Sequence, residues 1–179
     1  MNDIQAGSPP DIADPKFTIF HYRDGSDPSE AEVMEVDPGK AENAPIIEQC
    51  IGAGILDGAD NRLVFRGAGM SLVHIWFKPF FPLPRHSHDT DCLYYITAGS
   101  LRLGTRELKV GHGFFLPANA PYTYSPGPDG VELLEFRKAE SFSYRDLTAP
   151  AFWKRALQIV RDYRGMWRTA RRPSGAELS

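Results

Sequence analysis

The sequence of 179 residues contains only two cysteines, Cys50 and Cys92, so a framework of disulfides cannot hold the fold together. It has no run that approaches the ~18 consecutive apolar residues of a membrane-spanning helix. Its first residues are polar and acidic, with no positive segment leading into an apolar one, so we expect no secretory signal. These absences predict a chain without membrane association, in a reducing cytoplasm.

Glycine and proline are plentiful at 16 and 15 residues, and this frequency of turn formers is unfavourable for a helical bundle. From about residue 61, short β-forming runs alternate with turn signals, which is typical of a sandwich or barrel. The runs are Leu63–Arg66, Ser71–Lys78, Cys92–Thr97, Ser100–Leu103, Glu107–Val110, Phe114–Leu116, Tyr122–Tyr124 and Val131–Arg137. The segment Ala151–Trp167 instead places apolar residues at helical spacing, which predicts an amphipathic helix that docks on the barrel or on a dimer partner.

Charge is divided unevenly along the chain, whose net charge is -3. Residues 1–60 carry 13 acidic side chains against three basic ones, whereas residues 154–172 carry seven basic against one acidic. A basic segment can bind nucleic acid, but no recognised binding motif accompanies this one. The acidic segment could also neutralise it within the molecule or across a dimer. We therefore expect no nucleic-acid partner.

These patterns divide the chain into three parts. Residues 1–60 are predicted to form an acidic N-terminal arm that is partly disordered, chiefly over 1–16. Residues 61–140 are predicted to form the β-barrel. Residues 141–179 are predicted to form the helix and a basic tail, which we expect to be mobile from Arg168 onward.

Two histidines in alternate positions, His86 and His88, are the first candidate functional residues. In an extended chain, residues i and i+2 face the same side, so both imidazoles can point into a barrel and chelate one metal ion. The pair alone is weak support for a metal site, because such pairs also occur on solvated loops. Its interpretation depends on the residues that follow.

Two spaced motifs follow the histidine pair. Six residues separate Cys92 from Gly99, and five residues separate Gly111 from Pro117. Together with the pair, this arrangement over residues 61–138 resembles the cupin superfamily. The resemblance implies an all-β fold, a double-stranded β-helix or jelly-roll barrel, with the N-terminal arm and the C-terminal amphipathic helix attached.

The resemblance also implies a site and a partner. It places His86 and His88 at two of the family's metal-binding positions, which implies a divalent transition metal (Fe, Zn, Ni or Mn) as cofactor. The family is usually dimeric, so a homodimer is expected. Its enzymes act on small molecules, so a small-molecule substrate is expected as well.

The chain departs from the family pattern at three positions. Cys92 stands where the family has a glutamate ligand, Tyr122 where it has a further histidine, and Asn119 where it has a glycine. The third and fourth ligands of an ion therefore stay open among His74, Cys92, Asp91 and Tyr122.

Two classes of function are compatible with these residues. The first is a metal-dependent enzyme of oxygenase, lyase or isomerase type that acts on a small apolar or aromatic molecule. The resemblance extends to cysteine dioxygenases, some of which carry a cysteine at the glutamate position, and a metal-activated phenol can act as a base. The candidate catalytic residues are Cys92, Tyr94 and Tyr122. The aromatic residues expected to line the substrate pocket are Trp76, Tyr124 and Phe136. The alternative is a metal-free barrel that binds a small molecule or a partner.

Overall fold

The computed structural model describes residues 11, 12 and 17–176, and within them it contains ten β-strands and two α-helices. Disorder was expected over residues 1–16, and of these only residues 11 and 12 are among the described residues. The strands are β1 (Asp11–Ile12), β2 (Met34–Asp37), β3 (Ala59–Gly67), β4 (Met70–Phe77), β5 (His86–Ser87), β6 (Cys92–Leu103), β7 (Arg106–Lys109), β8 (Gly113–Leu116), β9 (Ser125–Arg137) and β10 (Phe142–Asp146). The helices are α1 (Ala44–Ala53) and α2 (Pro150–Trp167).

The strands form two sheets that enclose one apolar core. The larger sheet has the order β1-β3-β4-β9-β6-β7, with β8 also paired to β6, and the smaller has the order β2-β10-β5. All pairs are antiparallel except β1–β3 and β2–β10. The core contains side chains from both sheets, and this arrangement confirms the all-β barrel. The smaller sheet includes β2 and β10, which lie outside residues 61–140.

Side chains alternate between the core and the outer surface along the central strands. In β6, Cys92, Tyr94 and Ile96 are buried, whereas Leu93 and Tyr95 are half exposed. The neighbouring β4 and β9 follow the same alternation, since Val73 and Glu135 lie opposite each other in the sheet and both are buried. Successive residues of a strand point to opposite faces, so these registers determine which side chains enter the barrel.

The two helices pack on each other at one end of the barrel and form a second apolar cluster. Helix α2 is the amphipathic helix predicted from the sequence, and its indole nitrogens attach it to the barrel. The indole N–H of Trp153 donates to Asp146 (3.2 Å), and that of Trp167 donates to the carbonyl oxygen of Pro79 (2.8 Å). Over the described residues, neither helix has the length and apolar character that crossing a bilayer requires.

The basic tail lies on the barrel instead of extending freely from it, at least as far as Arg172. The Arg172 guanidinium binds Asp60 (2.5 Å) and the buried Glu132 (3.2 Å), and it lies over the ring of Trp76 with 4.7 Å to the centroid. Its side chain is only 10 % exposed. The acidic and basic segments therefore meet within one molecule at this point, and the mobility expected of the tail from Arg168 stays a prediction.

This contact predicts that Arg172→Ala destabilises the fold by about 3 kcal/mol, because it leaves the buried Glu132 without its cation. The measurement is urea unfolding at neutral pH. The neighbouring Arg171 is exposed, so Arg171→Ala removes the same charge from the chain without the contact and serves as the control. Equal unfolding free energies for the two variants would show that the tail contributes nothing to stability.

Candidate binding site inside the barrel

The structure places His86 and His88 side by side within the barrel. Both are buried, at 4 % and 7 % exposure, and their ring centroids are 5.1 Å apart. Strand β5 pairs with β10, and the backbone of His86 also exchanges two hydrogen bonds with Tyr122, of 3.0 and 2.9 Å. The short strand β5 is thus hydrogen-bonded to β10 on one side and to Tyr122 on the other. This pairing fixes its orientation and places the two imidazoles next to each other.

Each imidazole is held in one protonation state by its surroundings. His86 Nδ1 lies 2.8 Å from the carbonyl oxygen of Pro84, and His88 Nδ1 lies 2.6 Å from that of Ser143. A carbonyl oxygen only accepts, so Nδ1–H is the donor in both rings and Nε2 keeps its lone pair. Burial lowers the pKa of each histidine to about 4, so both are neutral at pH 7.

A buried ion pair, which the sequence analysis missed, lies beside the histidines. Glu135 and Arg137 point inward from the end of β9, with 2.5 Å between the carboxylate and the guanidinium. The Arg137 guanidinium also lies over the ring of Phe142, at 3.8 Å from the centroid. A signal was present in the sequence: Glu135 and Arg137 continue the alternate positions of two apolar residues, Val131 and Leu133.

These groups form the polar end of a cavity of about 320 Å³ in the barrel. Apolar side chains supply most of its wall, and they come from β4, from the segment before β5 and from the region around α1. The polar and aromatic residues that line it are Asn61, Phe77, Phe81, His86, His88, Glu135, Arg137, Phe142, Tyr144 and Trp153. A mostly apolar cavity with a few convergent polar groups is the usual form of a small-molecule site.

The three candidate catalytic residues lie in the core next to this polar end. The hydroxyls of Tyr94 and Tyr122 are in contact, and the Tyr122 ring lies 4.3 Å from that of His86. Burial raises the pKa of both phenols well above 10 and that of the Cys92 thiol to about 12. Burial therefore favours the protonated form of all three, which suits hydrogen bonding better than the role of a base.

Of the three residues expected to line the pocket, none is found on the wall of this cavity. Tyr124 is buried in the core near Tyr122, with ring centroids 6.2 Å apart. Trp76 and Phe136 face the outer side of the sheet, where Arg172 covers Trp76 and Phe136 is 38 % exposed. The physical reason is the alternation of side chains along a strand. The residues on either side of Trp76 in β4 and of Phe136 in β9 point inward, so Trp76 and Phe136 point outward.

The proposed additional metal ligands lie away from the two free Nε2 atoms or are protonated. His74 faces outward, 3.6 Å from Glu132, and the Asp91 carboxylate accepts the backbone N–H of Ala118 (2.8 Å). To bind an ion as a phenolate, Tyr122 would have to lose its hydroxyl proton, and burial raises the pKa of this phenol. Between residues 17 and 176, no three His, Cys, Asp or Glu side chains come together as an ion would require.

Burial is the main cause of the lowered pKa of His86 and His88. Arg137 lowers both pKa values further, whereas Glu135, with which it pairs, raises that of His86. The residues present therefore supply two nitrogen ligands. They do not fit a transition-metal centre made of protein ligands alone, which ordinarily has three or four.

No protein-family model matches the chain, and no curated protein matches it. Among solved structures it is similar to an RmlC-like cupin from Shewanella frigidimarina, with 20 % identity, a TM-score of 0.41, and coverage of 45 % of this chain and 76 % of that one. It is also similar to KdgF from Halomonas sp. (19 %, TM-score 0.39, 45 % and 79 %). A third is the polyketide cyclase RemF from Streptomyces resistomycificus (21 %, TM-score 0.46, 63 % and 83 %). These similarities are weak, and the description of the chain as a two-sheet β-barrel depends on its own strand pairing.

The lowered histidine pKa values predict a specific pH dependence of stability. These histidines take up a proton near pH 6.5 in the unfolded chain and only near pH 4 in the folded chain. Between these two values the unfolded chain binds more protons, so the free energy of unfolding falls as the pH drops. Each histidine contributes about 2 kcal/mol to the fall between pH 7.5 and 5.

Urea unfolding at pH 7.5 and 5 measures this effect. We expect His86→Gln or His88→Gln to make the fall shallower by that amount, whatever its effect on stability at pH 7.5. His112→Gln, in an exposed turn, is the control and should leave the fall unchanged. Identical pH profiles for all three variants would contradict the neutral, buried state of the pair.

Proposed function

We propose that this protein binds a small organic molecule inside the barrel, and that the ligand is apolar over most of its surface and polar at one end. The observation that supports this best is the cavity of about 320 Å³, whose apolar wall ends at His86, His88, Glu135 and Arg137. Its size is at the lower end of the range for small-molecule sites. Burial of the apolar part of a ligand supplies affinity, and the polar groups orient it.

The apolar residues near α1 indicate where a ligand enters. Ile47 and Ile51 of α1 and Leu56 just after it line the cavity, and Ile51 and Leu56 are 50 % and 70 % exposed. Apolar side chains that are open to solvent and also line a cavity are typical of its mouth. A ligand entering here would pass the apolar wall before it reached the histidines.

The two histidines define what kind of polar group they can receive. Since each Nδ1–H is bonded to a backbone carbonyl, each ring offers the cavity a lone pair on Nε2. Such an atom accepts a hydrogen bond from a hydroxyl or N–H group of a ligand. In an interior of low polarity this bond has few competitors, so it contributes to selection of the ligand.

Blocking the cavity should abolish binding. We expect the neutral, environment-sensitive dye N-phenyl-1-naphthylamine to bind wild-type protein with increased fluorescence, and Ile75→Trp to weaken it at least about tenfold by filling the wall. Met70→Trp, on the outer face of the same strand and outside the cavity wall, is the matched control. Circular dichroism checks that both variants fold. The absence of dye binding to the wild type, or equal binding to both variants, would contradict a ligand cavity.

A second candidate function is the metal-dependent enzyme implied by the histidine pair, and one observation favours it. In metal sites the ligating histidine usually donates its other N–H to a carbonyl or carboxylate, as both His86 and His88 do. With ligands from a substrate or from water, the pair could hold an ion that these residues alone do not complete. In that case the neighbouring phenols of Tyr94 and Tyr122 would orient the substrate.

Metal content separates the two candidates. From the donor set present we expect protein purified without chelator to contain far less than one transition-metal ion per chain by mass spectrometry of the elements. His112→Ala is the control for surface histidine binding. A near-stoichiometric metal that persists in this control and disappears when His86→Ala and His88→Ala are combined would establish the metal-dependent alternative.

We also propose that the protein forms a homodimer through the outer face of the larger sheet. One row of apolar residues crosses four strands there in register: Leu72, Phe136, Leu93 and Phe115. Three of them are 38–58 % exposed. An apolar row of this kind on a surface is typical of an interface between proteins.

Sedimentation velocity tests the dimer. We expect the wild type to sediment as a dimer and Leu93→Asp to shift it to the monomer, since a carboxylate in the row would be buried unpaired. Val110→Asp, at an exposed apolar residue outside the row, should leave the dimer intact. A monomeric wild type at concentrations of tens of micromolar would overturn this proposal.

A further inference from the structure

We infer that the ligand of this cavity is an apolar monocarboxylate whose carboxylate binds the guanidinium of Arg137. This inference rests on the proposed function, since it assigns the chemical class of the molecule that the cavity would hold. It is carried by the geometry of Arg137, a buried cation in the cavity wall that the fold uses only in part.

The Arg137 side chain is fully buried, yet most of its donors have no partner. Nη2 donates to Glu135 Oε2 at 2.5 Å, whereas Nε and Nη1 have no hydrogen-bond partner among the residues that the structure describes. One face of the guanidinium is covered by the ring of Phe142. Buried N–H groups are nearly always paired in folded proteins, because an unpaired donor has lost its water without compensation. Arg137 also lines the cavity, so we take the missing partner of Nε and Nη1 to be a group that binds there.

The chemistry of these donors favours a carboxylate. A guanidinium offers planar N–H groups that match the two oxygens of a carboxylate, and such charge-assisted bonds are stronger than neutral ones. The histidines cannot serve this group in the same way, since their N–H groups are committed to Pro84 and Ser143. An anionic group is therefore directed to Arg137, while His86 and His88 remain acceptors for any hydroxyl that the ligand carries.

The charge of the site favours an anion of low charge. Glu135 already offsets the charge of Arg137, so a dianion such as a phosphate monoester would bury more uncompensated charge than a carboxylate. The remainder of the cavity is apolar, with Val73, Ile75 and Phe77 of β4 in its wall. A short alkyl or aryl chain that ends in a single carboxylate fits both features.

Displacement of N-phenyl-1-naphthylamine by a matched pair of probes tests this inference. The pair is 4-phenylbutanoate and 4-phenylbutan-1-ol, which differ in the terminal group and carry the same apolar part. At pH 7.5 we expect wild-type protein to bind the carboxylate at least about tenfold more tightly than the alcohol. Glu135→Gln removes the competing carboxylate while keeping its shape, so it should increase that preference severalfold.

Removal of the Arg137 guanidinium should have the opposite effect on the preference for the carboxylate probe. Arg137→Gln should abolish the preference for the carboxylate, and if the unpaired Glu135 prevents this variant from folding, the double variant Glu135→Gln/Arg137→Gln removes both charges and gives the same readout. Arg102→Gln, at an exposed arginine outside the cavity, is the control for loss of a positive charge.

The outcomes separate this inference from the proposed function. If the dye binds and both probes displace it equally well in wild-type protein, the carboxylate assignment is overturned and the cavity stands as a site for neutral molecules, with water at Arg137. Equal probe preferences in wild type, Glu135→Gln and the double variant would overturn it as well. If the dye does not bind at all, it is the proposed function that fails.

Discussion

The ion pair between Glu135 and Arg137 is the interaction on which the interior of this barrel depends. Neither charge could be buried alone, because the cost of removing it from water would exceed what apolar packing returns. Both residues end β9 in inward positions, so the pair can form only in the register that also places Val73, Tyr94 and Cys92 inside. A shift of one residue would exchange this set for Phe136 and its neighbours. The pair thus specifies which face of three strands becomes the core.

Sequence patterns predicted the architecture well and the facing of individual strands poorly. The barrel and the helix α2 follow from turn spacing and periodicity, which are local properties, whereas the site positions of His86 and His88 were implied by the family resemblance. Trp76 and Phe136 could not be assigned in the same way, because apolar residues occupy both faces of β4 and β9. Trp76 is covered by Arg172, which comes nearly one hundred residues later in the chain. A local sequence pattern cannot predict such a contact.

The motif positions show why a family pattern can predict backbone more reliably than chemistry. Asn119 stands at the glycine position and adopts φ 63°, a left-handed conformation that asparagine tolerates better than most residues, so the turn is kept. Tyr122 stands at the histidine position and keeps the backbone pairing with His86. Its side chain, however, is a protonated phenol where the family has an imidazole. Substitutions that satisfy the same dihedral angles can therefore preserve the fold while they change the donor set.

Burial keeps the two imidazoles neutral, and the charged groups beside them are Arg137 and Glu135. Arg137 lowers the pKa of both imidazoles, whereas Glu135 raises that of His86, so neither charge acts alone. The unpaired Nε and Nη1 atoms of Arg137 offer bonds to a negative group. If the ligand carries a carboxylate, Arg137 is the group that receives it, so the choice of ligand depends on β9, a strand outside the spaced motif positions of residues 86–122.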